Sequence, residues 1–132
     1  MRFVMGTPEG YQFDAAYIDA LKKQIPNLDY AVTTDPREAV KGAVAVYTDV
    51  WASMGQESES EKRRKDFAKY QVNQQLMKIA PDAYFMHCLP AHRGEEVTDE
   101  VMDGPRSVVV PQAGNRMHLQ KGVLAWLLAS QM

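Results

Sequence analysis

Short apolar runs alternate with segments of helical periodicity along this chain. The apolar runs have the length of buried β-strands and lie at residues 2–5, 29–33, 43–48, 84–89 and 107–110. Between them, apolar side chains recur every three or four residues, which is typical of helices with one buried face. The alternation predicts a Rossmann-like, three-layer α/β domain, with a parallel sheet of about five strands flanked by helices.

Capping residues indicate where the helices begin and end. Asp14 is a predicted N-cap, and Pro26 ends the helix that follows it. Asp35 and Pro36 begin a short second helix, with the proline at the first helical position, where its missing N–H costs nothing. Further helices are predicted at residues 57–80 with a break near Tyr70, in a short segment that begins near Thr98, and at residues 115–129.

Composition narrows the class of protein. A length of 132 residues fits one domain, and 45% hydrophobic with 24% charged residues is ordinary for a globular chain. The net charge of −2 offers no basic surface for nucleic acid or an anionic membrane. The chain has no apolar run near the roughly 20 residues that span a bilayer and no signal-peptide pattern. With Cys88 as its one cysteine, a cytoplasmic protein is expected.

Chemically useful side chains follow three consecutive predicted strands. Asp49 and Ser53 come after the third strand, Cys88 lies at the end of the fourth, and Arg116 follows the fifth. In a parallel sheet, ligands gather at the carboxyl ends of the strands. The sequence therefore predicts a site that combines an acid, a hydroxyl, a thiol and an arginine.

Each of these residues also has a plain structural interpretation. Asp49 and Ser53 are common turn or cap residues, although a carboxylate at a strand end also suits a ligand ammonium group. Met54 is expected to pack, and a lone Cys88 is often a small buried apolar residue. Arg116 is either a surface arginine or, near the predicted start of the last helix, a group that binds carbonyl or phosphate oxygens. Both interpretations stay open at each position.

The three histidines do not predict a metal centre. His87, His92 and His118 are scattered and lack the spacing of metal ligands. Strand alternation directs His87 to the face opposite Cys88, which favours a packing role for the imidazole.

Three motifs, in this order along the chain, resemble those of the ornithine carbamoyltransferases. Residues 47–57 (YTDVWASMGQE) are similar to the ornithine loop of that family, residues 85–90 (FMHCLP) to its cysteine motif, and Asn115-Arg116 to the end of its Glu-Asn-Arg motif. The resemblance covers essentially residues 1–132 and corresponds to the family's C-terminal, ornithine-binding domain. Aspartate carbamoyltransferases lack the Ser-Met-Gly loop and the putrescine enzymes carry a different one, so this loop favours ornithine.

The resemblance implies carbamoyl transfer from carbamoyl phosphate to the δ-amine of ornithine, giving citrulline and phosphate, without a cofactor or a metal. It implies that Asp49, Ser53 and Met54 hold the amino-acid end of ornithine, and that Cys88 and the Leu89 backbone lie beside the reacting amine. Arg116 would bind the carbamoyl oxygen. The implied catalytic residues are Cys88, Arg116 and Asp49.

The chain also departs from the family pattern. Gly114 replaces the glutamate before Asn-Arg, which is expected to loosen the loop that positions Arg116. The family's Ser-x-Arg-Thr-Arg and His-Pro-x-Gln motifs for carbamoyl phosphate do not occur, and the similarity begins after the first strand–helix unit of the family's second domain. The resemblance therefore implies the amino-acid-binding half of a transferase, truncated at that unit and inactive without a carbamoyl-phosphate domain.

Two alternatives remain at this stage. One is a non-catalytic amino-acid-binding or interaction module, and the other is half of a putrescine-type carbamoyltransferase. The predicted last helix is apolar nearly all round at residues 123–128, so we also expect exposed apolar surface and a homo-oligomer.

Overall fold

Strands and helices alternate along residues 1–52, 55 and 57–129, which the computed structural model describes. The strands are β1 (Arg2–Gly6), β2 (Asp29–Thr33), β3 (Ala45–Thr48) and β4 (Tyr84–His87). The helices are α1 (Ala15–Gln24), α2 (Pro36–Ala39), α3 (Ser60–Phe67), α4 (Gln74–Met77), α5 (Asp99–Met102) and α6 (Val109–Ala129), with 3₁₀ turns at Glu57–Glu59 and Ala68–Tyr70. None of these helices is long and apolar enough to cross a membrane.

The predicted capping residues begin the first two helices. Asp14 Oδ1 accepts the backbone N–H of Ala16 at 2.7 Å, and Asp35 Oδ1 accepts that of Arg37 at 2.9 Å. These bonds satisfy donors that have no partner inside the helix. The helical segment predicted at residues 57–80 is indeed interrupted at Tyr70, where a 3₁₀ turn separates α3 from α4.

The α/β class with parallel strands is confirmed, but the strands form two separate pairs. β1 pairs with β2 in parallel, from Arg2 opposite Asp29 to Gly6 opposite Thr33. β3 pairs with β4 in parallel, from Ala45–Tyr84 to Thr48–His87. Among the described residues, no strand pairing joins the two pairs.

The fifth strand predicted at residues 107–110 is wrong. Only Ser107 forms a bridge, to Phe85, through the bonds Phe85 N–H to Arg106 carbonyl and Val108 N–H to Phe85 carbonyl, each 2.9 Å. The Val108 carbonyl then accepts Gln112 N–H at 2.9 Å, which is the first turn of a helix. The last helix therefore begins at Val109, not at residue 115 as predicted.

The buried core lies on the β3–β4 pair. It includes Val46 of β3, Phe85 of β4 and Val97 of the following loop, of which the last two have no exposed area. The short helices α4 and α5 contribute to this core, whereas α1 contributes no buried residue. The packing therefore stabilises the part of the chain that carries the predicted site.

Replacing Phe85 by alanine should lower the free energy of unfolding by about 3–5 kcal/mol, because the ring is fully buried and its removal leaves a cavity. Urea denaturation followed by circular dichroism measures this change. Tyr84→Ala, one residue earlier and half-exposed, is the matched control and should cost about 1 kcal/mol or less. Equal losses in the two variants would contradict this assignment of the core.

Candidate functional site

The register of β3 and β4 brings Asp49 and Cys88 together. Thr48 lies opposite His87, so the next residue of each strand leaves the sheet at the same edge. The Cys88 thiol donates a hydrogen bond to Asp49 Oδ1, with Sγ and Oδ1 2.9 Å apart. Two residues that are 39 positions apart in sequence thereby form the centre of the candidate site.

Asp49 also supports its own turn. Its Oδ1 accepts the backbone N–H of Val50 at 2.7 Å, and the residue is exposed. The turn interpretation and the site interpretation of this aspartate are therefore both compatible with the structure.

Arg116 reaches the site from α6. Its Nη1 donates to the Cys88 carbonyl at 3.3 Å. The predicted place of this arginine at a helix start is wrong, because α6 begins at Val109, about two turns earlier. The field of a helix N-terminus fades within the first turn, so the guanidinium itself must supply any attraction for an anion here. Gly114 also lies inside α6. The expectation that this glycine loosens a loop before Arg116 is therefore wrong, because no loop precedes Arg116 here.

Tyr47 is a site residue that sequence reasoning missed. It lies on β3 two positions before Asp49, and alternation places side chains two apart on the same face of a strand. Partial burial, followed by the interaction with Cys88, raises the pKa of Tyr47 to about 12. The phenol is therefore neutral near pH 7. The alternation 47, 49 along the third strand is the signal that could have identified it.

The Cys88 thiol is also neutral near pH 7. Burial, followed by the hydrogen bond to Asp49, raises its pKa above the ordinary value for cysteine. A neutral thiol donates a hydrogen bond and is a poor nucleophile. This electrostatic setting favours a role in orienting a ligand over a role in covalent catalysis.

A buried pair, His87 and Glu96, holds the turn that follows Cys88. Both side chains are fully buried, with His87 Nε2 3.2 Å from Glu96 Oε1. His87 Nδ1 accepts Leu89 N–H at 2.8 Å, so the ring proton lies on Nε2 and is donated to the carboxylate. The same Oε1 accepts His92 N–H at 2.6 Å. These bonds connect the strand end to the loop that returns beneath it.

The buried pair stabilises an uncommon backbone conformation at Leu89. Its φ of 56° lies in the left-handed region, which costs free energy for a side chain larger than glycine. The hydrogen bond from Leu89 N–H to His87 offsets that cost. The Leu89 N–H is therefore already occupied by His87.

Within the part of the chain that the structure describes, two groups of side chains have potential metal ligands within 4.8 Å of one another: Asp49 with His87 and Cys88, and His92 with Glu95 and Glu96. In the first group, both ring nitrogens of His87 already hold hydrogen bonds. In the second, Glu95 pairs with Arg64 at 2.8 Å. The absence of a metal cofactor stays a prediction.

Ser53 and Met54, which were predicted to hold the amino-acid end of a substrate, lie outside the described residues. Of the predicted site residues within the described ranges, Asp49, Cys88, Leu89 and Arg116 are brought together by the two strand ends and α6.

The comparisons with known proteins identify the family of the chain. The sequence model of the aspartate/ornithine carbamoyltransferase family, for its Asp/Orn binding domain, matches residues 1–127. The chain belongs to this family.

Similar sequences in the family are named ornithine carbamoyltransferases. The protein of Symbiobacterium thermophilum is 54% identical over 134 residues, covering 98% of this chain and 43% of the relative. The anabolic protein of Pyrococcus furiosus is 55% identical over 128 residues, covering 95% of this chain and 41% of the relative. The chain thus spans about two fifths of the length of the curated relatives it matches.

Solved structures of the family share the fold. The ornithine carbamoyltransferase from Pyrococcus furiosus matches with a TM-score of 0.84 and 54% identity over 94% of this chain and 41% of that chain. The anabolic enzyme from Campylobacter jejuni matches with a TM-score of 0.89 and 32% identity over 98% of this chain and 44% of that chain.

At about pH 8, Cys88 should react with iodoacetamide more slowly than free cysteine, because burial and Asp49 raise the thiol pKa and the thiolate is the reactive form. Asp49→Asn removes a negative charge, lowers that pKa and should increase the rate severalfold at the same pH. Mass spectrometry over about pH 7–10 measures the rate at this single cysteine.

The control for the alkylation experiment is Asp19→Asn, which removes an exposed carboxylate on α1. It should leave the rate profile unchanged. An unchanged or slower rate in Asp49→Asn would contradict the electrostatic coupling of Asp49 to the thiol.

Proposed function

We propose that this chain is the ornithine-binding half of an ornithine carbamoyltransferase. The observation that carries the proposal is the contact of Asp49, Cys88 and Arg116 at the carboxyl ends of β3 and β4. Membership of the carbamoyltransferase family supports it, and so do the names of the relatives. The substrate pair is ornithine and carbamoyl phosphate, and the products are citrulline and phosphate.

The acidic part of the site recruits the amino acid. Ornithine carries ammonium groups, and the exposed Asp49 carboxylate attracts them with a charge-assisted hydrogen bond. We place Ser53 and Met54 of the same loop at the amino-acid end of ornithine. The Cys88 side chain and the Leu89 carbonyl then lie beside the δ-amine.

The δ-amine must lose a proton before it reacts. A free alkylammonium group has a lysine-like pKa near about 10.4, so only a small fraction is neutral at pH 7. Asp49 and Cys88 orient the neutral amine, whose nitrogen lone pair attacks the carbamoyl carbon. The C–N bond forms, the C–O bond to phosphate breaks, phosphate leaves with that electron pair, and the nitrogen releases one proton.

Arg116 stabilises the charge that develops on the carbamoyl oxygen. As the amine attacks, the carbonyl oxygen becomes negative, and a guanidinium beside it lowers the barrier. Its present partner, the Cys88 carbonyl at 3.3 Å, is also an oxygen acceptor, which shows that the side chain reaches this edge of the sheet. Positioning of the two substrates supplies most of the remaining acceleration.

In this proposal Asp49 and Cys88 serve ornithine, and Arg116 is the cation that serves carbamoyl phosphate. We therefore expect this chain to bind ornithine but not to form citrulline by itself. Activity should return when a polypeptide that spans the remaining part of the Pyrococcus furiosus relative is added.

Titration calorimetry should show saturable ornithine binding that weakens by about tenfold or more in Asp49→Asn, a loss of about 1.4 kcal/mol. Asp19→Asn, on the exposed surface of α1, should retain wild-type affinity. A citrulline assay of the same samples tests the second half of the proposal.

Each outcome of these assays has a clear meaning. Citrulline formation by the chain alone would overturn its assignment as half of a transferase. Ornithine binding without any activity after addition of the remaining part would indicate a non-catalytic binding module. Absence of ornithine binding at millimolar concentration would overturn the substrate assignment.

We also propose that α6 forms a contact between copies of this chain. Leu124, Trp126 and Leu128 are 60–69% exposed, and this amount of adjacent apolar surface favours burial against a partner. The net charge of −2 argues against a nucleic-acid partner, and the single Cys88 suits the reducing cytoplasm.

The double variant Leu124→Glu/Leu128→Glu should shift the chain from oligomer to monomer, because it introduces two charges on one face of α6. Light scattering after size-exclusion chromatography measures the mass. The control is Gln120→Glu, one turn earlier on the same face, which should leave the oligomer intact. A wild-type chain that remains monomeric at high concentration would contradict the proposed contact.

A further inference from the structure

A histidine and two glutamates meet in the turn that follows β4. His92, Glu95 and Glu96 each offer one ligand atom, and these three atoms lie within 4.8 Å of one another. An imidazole nitrogen and carboxylate oxygens are ligands that Zn²⁺ and similar divalent ions take in proteins. The hydrogen bonds of each side chain show which of its ligand atoms remain for an ion.

Glu96 is a buried side chain with one oxygen that lacks a partner. The residue has no exposed area. Its Oε1 accepts hydrogen bonds from His87 Nε2 at 3.2 Å and from the backbone N–H of His92 at 2.6 Å. Its Oε2 has no hydrogen-bond partner among the described residues, and a buried polar atom without a partner costs free energy. A cation bound to Oε2 would remove that cost, while the two bonds to Oε1 hold the carboxylate in place.

Glu95 divides its two oxygens in a similar way. Its Oε1 pairs with Arg64 Nη2 at 2.8 Å, and its Oε2 lies 3.9 Å from His92 Nδ1. The latter distance is too long for a hydrogen bond. It is close to the roughly 3.4 Å that separates two ligand atoms when each lies about 2.1 Å from one tetrahedral zinc ion. A small rotation of the His92 side chain would therefore bring these two atoms to zinc-binding distance.

The backbone holds the three residues in one turn. The His92 carbonyl accepts the Glu95 N–H at 3.0 Å, and the Gly94 N–H donates to the Val97 carbonyl at 2.8 Å. Gly94 has a φ of 85°, which favours glycine. Gln71 Nε2 supports the turn from outside, because it donates to the carbonyls of Gly94 and Glu95, each at 2.8 Å. The ligands are thus positioned before an ion binds, which lowers the entropic cost of binding.

Access and charge also suit a cation. The His92 side chain is 53% exposed and that of Glu95 is 29% exposed, so an ion can reach the group from solvent. Arg64, which pairs with Glu95, is 57% exposed, and water and salt screen the charge of an exposed group. Arg93, which lies between the ligands in sequence, pairs with two other carboxylates.

We propose that His92, Glu95 and Glu96 form a site for a structural divalent cation of the zinc type. His92 Nδ1, Glu95 Oε2 and Glu96 Oε2 would supply three ligands, and water would take the fourth position of a tetrahedron. Because Glu96 also holds His87, the ion would stabilise the turn after β4. The histidine spacing alone did not indicate this site, since two of its three ligands are carboxylates.

This role is structural and independent of carbamoyl transfer, so failure of ornithine binding would leave it intact. Titration calorimetry of the full chain with Zn²⁺ should show one saturable site with a Kd of about 10 μM or tighter. An ion that binds the folded chain alone also stabilises it. The midpoint of thermal unfolding should therefore rise by several degrees when Zn²⁺ is in large excess over the Kd.

Three variants test the assignment of the ligands. His92→Ala keeps the backbone N–H that donates to Glu96, so it should fold, yet it should weaken Zn²⁺ binding by about tenfold or more. Arg64→Gln should tighten binding severalfold, because it frees Glu95 Oε1 and removes a nearby positive charge. Glu100→Gln, exposed on α5, is the matched control and should leave the affinity unchanged.

Replacement of Zn²⁺ by Co²⁺ locates the ion. Nitrogen and oxygen ligands should give visible absorption bands without a thiolate-to-cobalt charge-transfer band in the near ultraviolet. The other group of potential ligands, Asp49 with His87 and Cys88, would give that band through its sulfur. Cys88→Ser should therefore leave both the spectrum and the Kd unchanged.

Three results would overturn the assignment of this site. They are the absence of saturable Zn²⁺ binding at millimolar ion, equal affinity of the wild-type and His92→Ala chains, and a charge-transfer band that disappears in Cys88→Ser. A lower affinity in Arg64→Gln would contradict the place of Glu95 among the ligands, because removal of a competing cation cannot weaken a site that Glu95 completes.

Discussion

The parallel pairing of β3 with β4 is the constraint on which the rest of the structure depends. The core packs on this pair around Phe85, which has no exposed area. The register that places Thr48 opposite His87 also places Asp49 beside Cys88. A slip by one residue would reverse the side-chain faces along the strand, exposing core residues and separating the thiol from the carboxylate.

The buried His87–Glu96 pair connects this core to the site. Burial of an ionisable pair costs free energy unless both partners are hydrogen-bonded, and Glu96 Oε1 accepts from His87 and from His92 N–H. Glu96 Oε2 has no hydrogen-bond partner among the described residues, so the arrangement does not maximise stability. It holds Leu89 in its left-handed conformation and directs the Cys88 carbonyl toward Arg116. The buried pair therefore lowers the stability of the fold but fixes the position of the turn at the end of β4.

The candidate site is open. Asp49, Cys88 and Arg116 meet at an edge formed by two strand ends and α6. The chain spans about two fifths of the length of the relatives it matches. A transferase that joins two substrates requires groups on both sides of the reacting bond, and the groups described at this edge belong to the proposed ornithine side.

The amino-acid sequence by itself determined the local features of this protein. Four of the five predicted strands, the caps at Asp14 and Asp35 and the interruption at Tyr70 depend on neighbouring residues, whose apolar period and turn chemistry are visible in the sequence. The proximity of Asp49 and Cys88 was also predictable, because carboxyl ends of parallel strands share one edge. Arg116 was expected at the same edge for a reason that is wrong, since it reaches the edge from within α6 and not from the end of a fifth strand. Only the tertiary structure decided that residues 109–114 join the last helix and that β1 does not pair with β3. It also decided that Glu96 pairs with His87 beneath the turn after Cys88. These outcomes depend on hydrogen bonds and packing between segments distant in sequence, which periodicity does not encode.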